Sequence, residues 1–117
     1  GRKVIVPKAA KGVARFSFAE LCENPLGAPD YLAIAKAYHT VIFSGIPMLP
    51  PARRNEAKRL VTLIDALYEH RVKMVISADA QPDALSPEGD TAFVFERTAS
   101  RLIEMQSEEY MRTPHGI

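Results

Sequence analysis

The sequence predicts an α/β fold with a small mixed sheet, in which a central parallel strand-helix-strand unit is flanked by an N-terminal β-hairpin and packed helices. Two apolar runs, Thr40–Phe43 and Lys73–Ser77, are typical of strands buried on both faces. Between them, Arg53–His70 carries apolar residues at i, i+3, i+4 and i+7, the spacing of an amphipathic helix. Short connections between these three elements predict parallel strands joined by a right-handed crossover.

Before this unit, the sequence predicts a β-hairpin and a short helix. Lys3–Val6 and Val13–Ser17 have strand composition, and the loop 7–12 between them ends in a glycine that tolerates a positive φ. Ser17 and Glu20 have the spacing of a capping box, which predicts a short helix through residue 22.

A second helix is expected between the hairpin and the first buried strand. Asp30 or Ala28 caps its start, and it runs to Tyr38. Its predicted buried face comprises Leu32, Ala35 and Tyr38. After the strand, Ile46–Pro51 contains three prolines, which cannot donate ladder hydrogen bonds, so the strand is expected to stop before it.

The last third of the chain predicts a loop, a short strand and one long helix. Residues 78–90 include two prolines and a glycine and indicate a loop, and Phe93–Phe95 has the composition of a short strand. Residues 95–110 have the spacing of a single amphipathic helix. Its predicted apolar stripe comprises Ala99, Leu102, Ile103 and Tyr110. Thr113–Ile117 is expected to fray.

Two arginines of this last helix are the candidate catalytic residues. Arg97 and Arg101 lie in the first turns of the predicted helix, where the helix dipole disfavours a cation by roughly 0.3–1 kcal/mol, and they repel each other at i,i+4. Such a pair needs a compensating anion. The anion is either a carboxylate of the protein, Asp65 or Glu104, or it belongs to a nucleotide phosphate or a partner subunit, as for an arginine finger.

Length and composition restrict the function classes. The chain has 117 residues, enough for one domain with a modest core, and its 47% hydrophobic and 25% charged residues are typical of a globular protein. A formal net charge of +1 gives no general attraction to nucleic acid or acidic lipid. Cys22 is the single cysteine, so no intrachain disulfide forms. No apolar run approaches the ~18 residues of a membrane helix.

Several standard sites are missing from the sequence. The pattern G-x-x-x-x-G-K-[ST] does not occur, so the chain alone has no standard means of holding a nucleoside triphosphate. His39, His70 and His115 are scattered without partners at metal-ligand spacing, and no metal site is predicted. Cys22 is expected in the core rather than as a nucleophile.

Asp79 is the candidate cofactor-binding residue. Ligands collect at the carboxyl ends of parallel strands, and Asp79 lies two residues beyond the end of the second buried strand. The segment 67–77 resembles the helix-to-strand passage that leads to a sensor strand in P-loop ATPases. The alternative is ordinary α/β architecture, in which Asp79 caps a turn.

A basic cluster at the start of the long helix offers a different interpretation. Arg53, Arg54, Lys58 and Arg59 could contact nucleic acid or an anionic groove. The alternative is a solvated helix face with Glu56 nearby. Because no aromatic residues interleave with the cluster and the net charge is near zero, nucleic acid is not expected as a partner.

Taken together, the motifs of the chain resemble those of one family. The matching segments are Gly12–Phe18 with Leu21 and Cys22, Asp30–Ala35, Tyr38–Val41, Glu56–Tyr68 and Arg97–Tyr110. In this order they resemble the C-terminal part of the ZapE-like AAA+ ATPases, the bacterial cell-division ATPases and their mitochondrial relatives. The chain departs from the family pattern at Gly45, where members tend to carry Asp, and at Ser86, where they tend to carry Tyr.

The resemblance implies a P-loop ATPase whose phosphate loop, metal-binding acidic strand and sensor lie upstream of the matching region. Residues 1–117 are then a single domain, the C-terminal fragment of a larger enzyme. ATP and Mg²⁺ belong to the full-length parent, and neither a cofactor nor activity is expected for this chain alone. The implied partners are the upstream ATPase domain, further subunits of a homo-oligomer and a protein client, and the implied location is the bacterial cytoplasm, with a peripheral inner-membrane position as an alternative.

A protein-interaction module is the second hypothesis. In this interpretation the domain recruits a client without touching nucleotide, through the hydrophobic loop Ile46–Pro51. An exposed patch of Ile46, Met48 and Leu49 favours this hypothesis, and a buried arginine pair facing another domain favours the first.

Overall fold

The computed structural model describes residues 8–10, 12–86 and 92–116. Its four strands are β1 (Lys8–Ala10), β2 (Val13–Ser17), β3 (Thr40–Ile46) and β4 (Lys73–Ala78). Its four α-helices are α1 (Ala28–Ala37), α2 (Arg54–Glu69), α3 (Ala92–Glu104) and α4 (Glu108–Arg112). Short helical turns cover Ala19–Glu23, Pro51–Arg53 and Pro82–Ala84.

The sheet is mixed, as predicted, and its strands lie in sequence order. β1 pairs antiparallel with β2, and β2, β3 and β4 are parallel neighbours. Both crossovers, through α1 and through α2, advance in the same direction along the sheet. Because such crossovers are right-handed, α1 and α2 lie on the same face, where they contact each other.

The hydrophobic core lies between this face of the sheet and the helices. Along β2, β3 and β4, alternate residues point into it, among them Phe16, Phe43 and Met74. From the helical side, α2 contributes most, with a fully buried stripe of Ala57, Leu60, Leu63, Ile64 and Leu67. The amphipathic spacing of the long helix therefore predicted its buried face correctly.

The N-terminal hairpin differs from the prediction in its first strand. β1 occupies Lys8–Ala10, inside the segment predicted as a loop, and the predicted strand Lys3–Val6 lies outside the described residues. Ala10 pairs with Val13, so the connection is short, and it turns at Gly12 with a φ of 84°. Because the chain turns tightly at Gly12, the paired residues lie next to the turn, within the segment whose composition predicted a loop.

The capping box at Ser17 is present as predicted. The Ser17 N–H donates to Glu20 Oε1 (2.7 Å), and the Glu20 N–H donates to Ser17 Oγ (3.1 Å). In the next helix, α1, the Gly27 N–H donates to the Asp30 carboxylate (2.8 Å). These bonds satisfy donors that a helix N-terminus leaves without intrahelical partners.

The buried face of α1 is rotated from the predicted one. Tyr31, Ile34 and Ala35 are buried, whereas Leu32 is 38% exposed and Tyr38 is only partly buried at the helix C-terminus. The Tyr31 hydroxyl donates to the Leu21 carbonyl (2.7 Å). This hydrogen bond allows the Tyr31 ring to be buried in the core. The spacing of aliphatic residues could not predict it, because it is a tertiary contact.

β3 continues three residues beyond Phe43, the last residue of the predicted strand, and its pairing is irregular in this extension. Gly45 has a φ of 80°, and the pairing register shifts between Phe43 and Ile46. The bulge returns Ile46 to the core, where it is fully buried and its carbonyl accepts the Asp79 N–H (2.9 Å). Glycine permits this backbone conformation, so the strand ends only at the prolines.

The C-terminal helix was predicted wrongly in two respects. Phe93–Phe95 belongs to α3 and not to a strand, and the helix stops at Glu104 instead of running through Tyr110. After a turn, Ser107 starts α4 because its Oγ accepts the Tyr110 N–H (3.1 Å). Arg97 therefore lies in mid-helix, and Arg101 lies in the last turn, where the dipole favours a cation.

The tail is docked rather than frayed over Thr113–Gly116, while Ile117 lies outside the described residues. Lys73 Nζ donates to the Thr113 carbonyl, and the Gly116 N–H donates to the His70 carbonyl (2.9 Å). His115 Nε2 lies 2.7 Å from the Ala35 carbonyl. These long-range hydrogen bonds hold the tail against the ends of α1 and α2.

Gly12 and Gly45, two described glycines with positive φ, provide a matched stability test. In Gly12→Ala the new Cβ would lie 2.6 Å from His39 Cδ2, whereas in Gly45→Ala it meets nothing within 4 Å. We expect Gly45→Ala to lower the free energy of unfolding by about 1 kcal/mol through backbone strain alone, and Gly12→Ala by about 2 kcal/mol because a side chain must also move. Urea denaturation of both variants measures the difference, and equal losses would contradict the contribution of His39.

Candidate functional site

The two candidate arginines converge on one carboxylate. α3 packs against α2 so that Asp65 of α2 faces both side chains. Arg101 Nη1 contacts Asp65 Oδ1, and Arg97 Nη2 lies 3.6 Å from Asp65 Oδ2. Each carboxylate oxygen thus faces one guanidinium, and two positive charges share a single negative charge.

The environments of the two arginines differ. The Arg97 side chain is 62% exposed, whereas the Arg101 side chain is 23% exposed and its guanidinium lies 4.9 Å from the centroid of the Tyr68 ring. Arg101 is thus fixed by an ion pair and a cation–π contact. Arg97 makes the longer contact with Asp65, and most of its side chain is exposed to solvent.

Asp65, but not Glu104, makes the contact expected of an orienting carboxylate. Both Glu104 carboxylate oxygens accept from the Tyr68 hydroxyl (2.9 Å each). Glu104 therefore reaches Arg101 indirectly, through the ring on which that guanidinium lies. It positions the aromatic partner and not the arginine itself.

A groove of about 620 Å³ runs along α3 beside Arg97. Its lining combines charged side chains, Asp83 and Glu96 with Arg97, and apolar ones, Phe93 and Ile103. Phe93 is 81% exposed, which is unusual for an aromatic ring, and Ile103, predicted for the core, is exposed as well. The composition of Phe93–Phe95 gave no sign of this surface, because it predicts a strand where the structure has a helix.

Ser86 adds a buried polar atom to the wall of the groove. Its side chain is almost completely buried, and its Oγ has no hydrogen-bond partner among the residues that the structure describes. Buried hydroxyls are usually paired, since an unpaired one costs about 1–3 kcal/mol. A second such atom, Thr98 Oγ1, lies on the buried side of α3.

Asp79 lies at the carboxyl end of β4, as predicted. The described contacts of Arg97 and Arg101 are with other residues, Asp65 and Tyr68. The Asp79 side chain is exposed. A smaller cavity of about 260 Å³ at this end of the sheet is lined by Ile46, Ala78, Gln81 and Gln106 among others, and Asp79 does not line it. Nearby, Ser77 Oγ accepts the Gly45 N–H (3.0 Å). No described contact draws Asp79 into a site.

Two residues of the basic cluster at the start of α2 make contacts with another element of the fold. Arg59 Nη1 donates to the Cys22 carbonyl (2.9 Å), and Arg53 Nη2 lies 3.2 Å from Glu23 Oε2. Both contacts tie α2 to the helical turn Ala19–Glu23. Arg53 and Arg59 therefore make contacts within the protein, which the alternative of a solvated helix face did not predict.

The loop after β3 does not form the exposed patch that the interaction hypothesis requires. Ile46 and Leu49 are fully buried, and the Leu49 N–H donates to the Leu85 carbonyl (2.7 Å). Of the three residues of the expected patch, only Met48 is exposed. Ile46 and Leu49 belong to the core, so the exposed patch that would favour the interaction hypothesis is not present.

Cys22 is a core residue, and burial raises the pKa of its thiol to about 12. Because the thiolate is the nucleophile, we expect native Cys22 to react with a maleimide at pH 8 at least tenfold more slowly than in the denatured chain. Mass spectrometry of samples with and without urea measures both rates. Equal rates would show that the thiol is accessible in the native state.

Within the described part of the chain, no helix is long and apolar enough to cross a membrane. The same residues contain no group of three or more His, Cys, Asp or Glu side chains placed to hold a metal ion.

The fold and the site define an α/β domain that carries an arginine pair but has no phosphate loop of its own. Comparison with known proteins gives the family: the profile of the AFG1-like ATPases matches residues 1–114. The chain belongs to the AFG1-like ATPase family. This agrees with the resemblance seen in the motifs.

Curated relatives match nearly the whole chain but only part of their own length. Lactation elevated protein 1 homolog B of Danio rerio is 36% identical, over 94% of this chain and 28% of its own length. Cell division protein ZapE of Escherichia coli is 36% identical, over 93% of this chain and 30% of its own length. The chain thus spans less than a third of these relatives. No solved structure matches it significantly.

Proposed function

We propose that this chain is the C-terminal portion of an ATP-hydrolysing AAA+ P-loop ATPase and that it presents Arg97 to the nucleotide or to a neighbouring subunit. The observation that supports this function most directly is the geometry of the arginine pair. Arg101 is fixed by Asp65 and Tyr68, and Arg97 extends from the same carboxylate into solvent.

In this proposal, the upstream part of the polypeptide supplies what these residues lack. It holds the phosphate loop and binds ATP and Mg²⁺, and this domain packs on it within a homo-oligomer. A guanidinium suits this role because it is planar, always charged and able to bind phosphate oxygens in pairs. Arg101 and Asp65 would position Arg97, and Asp79 would be a secondary contact to the cofactor.

The biological setting belongs to the same proposal. The name of the E. coli relative assigns that protein to cell division. A role in cell division, in the bacterial cytoplasm or at the periphery of the inner membrane, follows for this chain only by relationship.

ATP turnover tests the proposal. We expect the full-length protein to hydrolyse ATP with Mg²⁺ and the separate 117-residue chain to show neither turnover nor ATP binding. Steady-state phosphate release and isothermal titration calorimetry measure the two quantities. A full-length protein that binds no ATP would overturn the proposed function.

Protein binding through the groove along α3 is a second candidate function, favoured by the exposure of Phe93. Because its ring contributes little to the core, Phe93→Ser is expected to change the free energy of unfolding by no more than about 0.5 kcal/mol. If the groove contacts a subunit or client, the same change weakens that association. Analytical ultracentrifugation and thermal unfolding measure the two effects, with Arg112→Ala at an exposed position of α4 as the control.

A further inference from the structure

The sheet has a second face that α1 and α2 do not cover. One row across it places Arg15 of β2 beside Ile42 of β3, and Ile42 beside Val75 of β4. Arg15 is exposed, Val75 is 60% exposed and Ile42 is only partly buried. The core-facing neighbours of Arg15 and Ile42 on β2 and β3 are at most 1% exposed, and on β4 Met74 is 8% exposed and Ile76 partly buried, so the two faces differ clearly.

An open face is unusual for parallel strands. Parallel sheets are normally covered on both faces, because crossover helices are distributed on either side. Here both crossovers advance in one direction and place their helices on one side. The β-branched residues Ile42 and Val75 thus remain accessible on a surface where such sheets ordinarily carry a second layer of helices.

We propose that this face is the docking surface for an amphipathic helix from the remainder of the same polypeptide, whose apolar stripe is flanked by carboxylates. This inference rests on the proposed function, which places the chain in a longer ATPase. In the curated relatives, more than two-thirds of the polypeptide lies outside the matching region, which leaves ample chain to supply such a helix.

Charge determines the kind of occupant. The four strands contain no Asp or Glu, and the exposed cation Arg15 ends the apolar row. A second copy seated face to face would bring two such cationic faces together without a compensating carboxylate, which is unfavourable. A helix with an aliphatic stripe covers Ile42 and Val75, and acidic residues beside the stripe pair with Arg15.

Cysteine labelling in the full-length protein tests the docking. Val75→Cys places a thiol on the face, and Met111→Cys places one on α4 at a similar exposure, 60% against 51%. Native Cys22 is buried and provides little background. If a helix covers the face, a maleimide labels the Val75→Cys variant at least tenfold more slowly than the Met111→Cys variant. An equal or faster rate at position 75 overturns the inference.

Two further measurements identify the occupant. Arg15→Glu is expected to raise the labelling rate of Val75→Cys in the full-length protein at least fivefold, whereas Arg112→Glu is not. No effect of Arg15→Glu overturns the acidic partner.

In the separate 117-residue chain, slow labelling that depends on protein concentration would show a second copy and overturn the proposed occupant. ATP turnover of the same samples separates the hypotheses, since an active protein with a freely labelled position 75 refutes the docking alone.

Discussion

Arg97→Ala in the full-length protein is expected to lower ATP turnover by about 100-fold or more while ATP affinity holds, the result of losing an arginine that acts on the transition state. This loss corresponds to roughly 2.7 kcal/mol of transition-state stabilisation. Structural damage is not expected to explain it, because the Arg97 side chain is 62% exposed and its contact with Asp65 is 3.6 Å long. Steady-state kinetics and ATP titration measure the two quantities.

Variants of the neighbouring residues separate chemistry from positioning. Arg101→Ala removes the better-fixed guanidinium and is expected to lower both turnover and stability, since Arg101 contacts Asp65 and Tyr68. Arg112→Ala is the matched control, because Arg112 is an exposed arginine whose ion pair is with exposed Glu108. If turnover and affinity are unchanged in folded Arg97→Ala and Arg101→Ala proteins, the pair is structural and the role of the domain lies in partner binding.

Tyr110→Ala is expected to lower the free energy of unfolding by about 3–4 kcal/mol, the cost of emptying a large buried aromatic site. The Tyr110 ring is 3% exposed and stacks on Tyr68 at a centroid distance of 5.9 Å. The Arg71 guanidinium lies 5.0 Å from the centroid of the Tyr68 ring and 5.7 Å from that of the Tyr110 ring. The ring therefore joins α4 to the end of α2, and its loss releases the docked tail as well.

The hydroxyl of Tyr110 has a smaller, separable contribution. It donates to the Val72 carbonyl (2.8 Å), so Tyr110→Phe is expected to cost about 1 kcal/mol. Met111→Ala, at an exposed position of the same helix, is expected to change stability by no more than about 0.5 kcal/mol. Urea denaturation compares the three variants, and a loss below about 1 kcal/mol for Tyr110→Ala would show that α4 contributes little to the fold.

The same hydroxyl makes stability depend on alkaline pH. Burial raises the pKa of Tyr110 from 10.0 to about 12, so the folded state keeps the proton longer than the unfolded state does. The stabilisation is complete below pH 10 and is lost as the pH rises toward 12, and Tyr110→Phe removes this part of the dependence.

Periodic segments were predictable because local spacing alone determines their buried face. The long helix α2 and the two parallel strands followed directly from apolar spacing, and the capping box at Ser17 needed only two residues three positions apart. The arginine pair was also found from sequence, and Asp65 was named as an alternative partner. Which of Asp65 and Glu104 meets the arginines could not be decided, because the helix packing sets that distance.

The wrong predictions concern segments in which tertiary contacts oppose the local sequence preference for a strand, a helix or a free end. Phe93–Phe95 has strand composition, yet it extends a helix whose other face packs on α2. The tail looked free in the sequence, yet it is held by hydrogen bonds to His70 and Ala35, which lie 46 and 80 positions away. Interactions of this range leave no periodic trace in the sequence.

The sequence by itself determined the α/β class, the central strand-helix-strand unit, the lack of a phosphate loop and the family, since each depends on residue types at fixed local spacing. Only the tertiary structure decided the rest. It placed Asp65 between the arginines, exposed Phe93, buried Leu49 in the loop after β3 and left one face of the sheet open. These features depend on how the helices pack across the sheet, and packing is a property of residues that are distant in the chain.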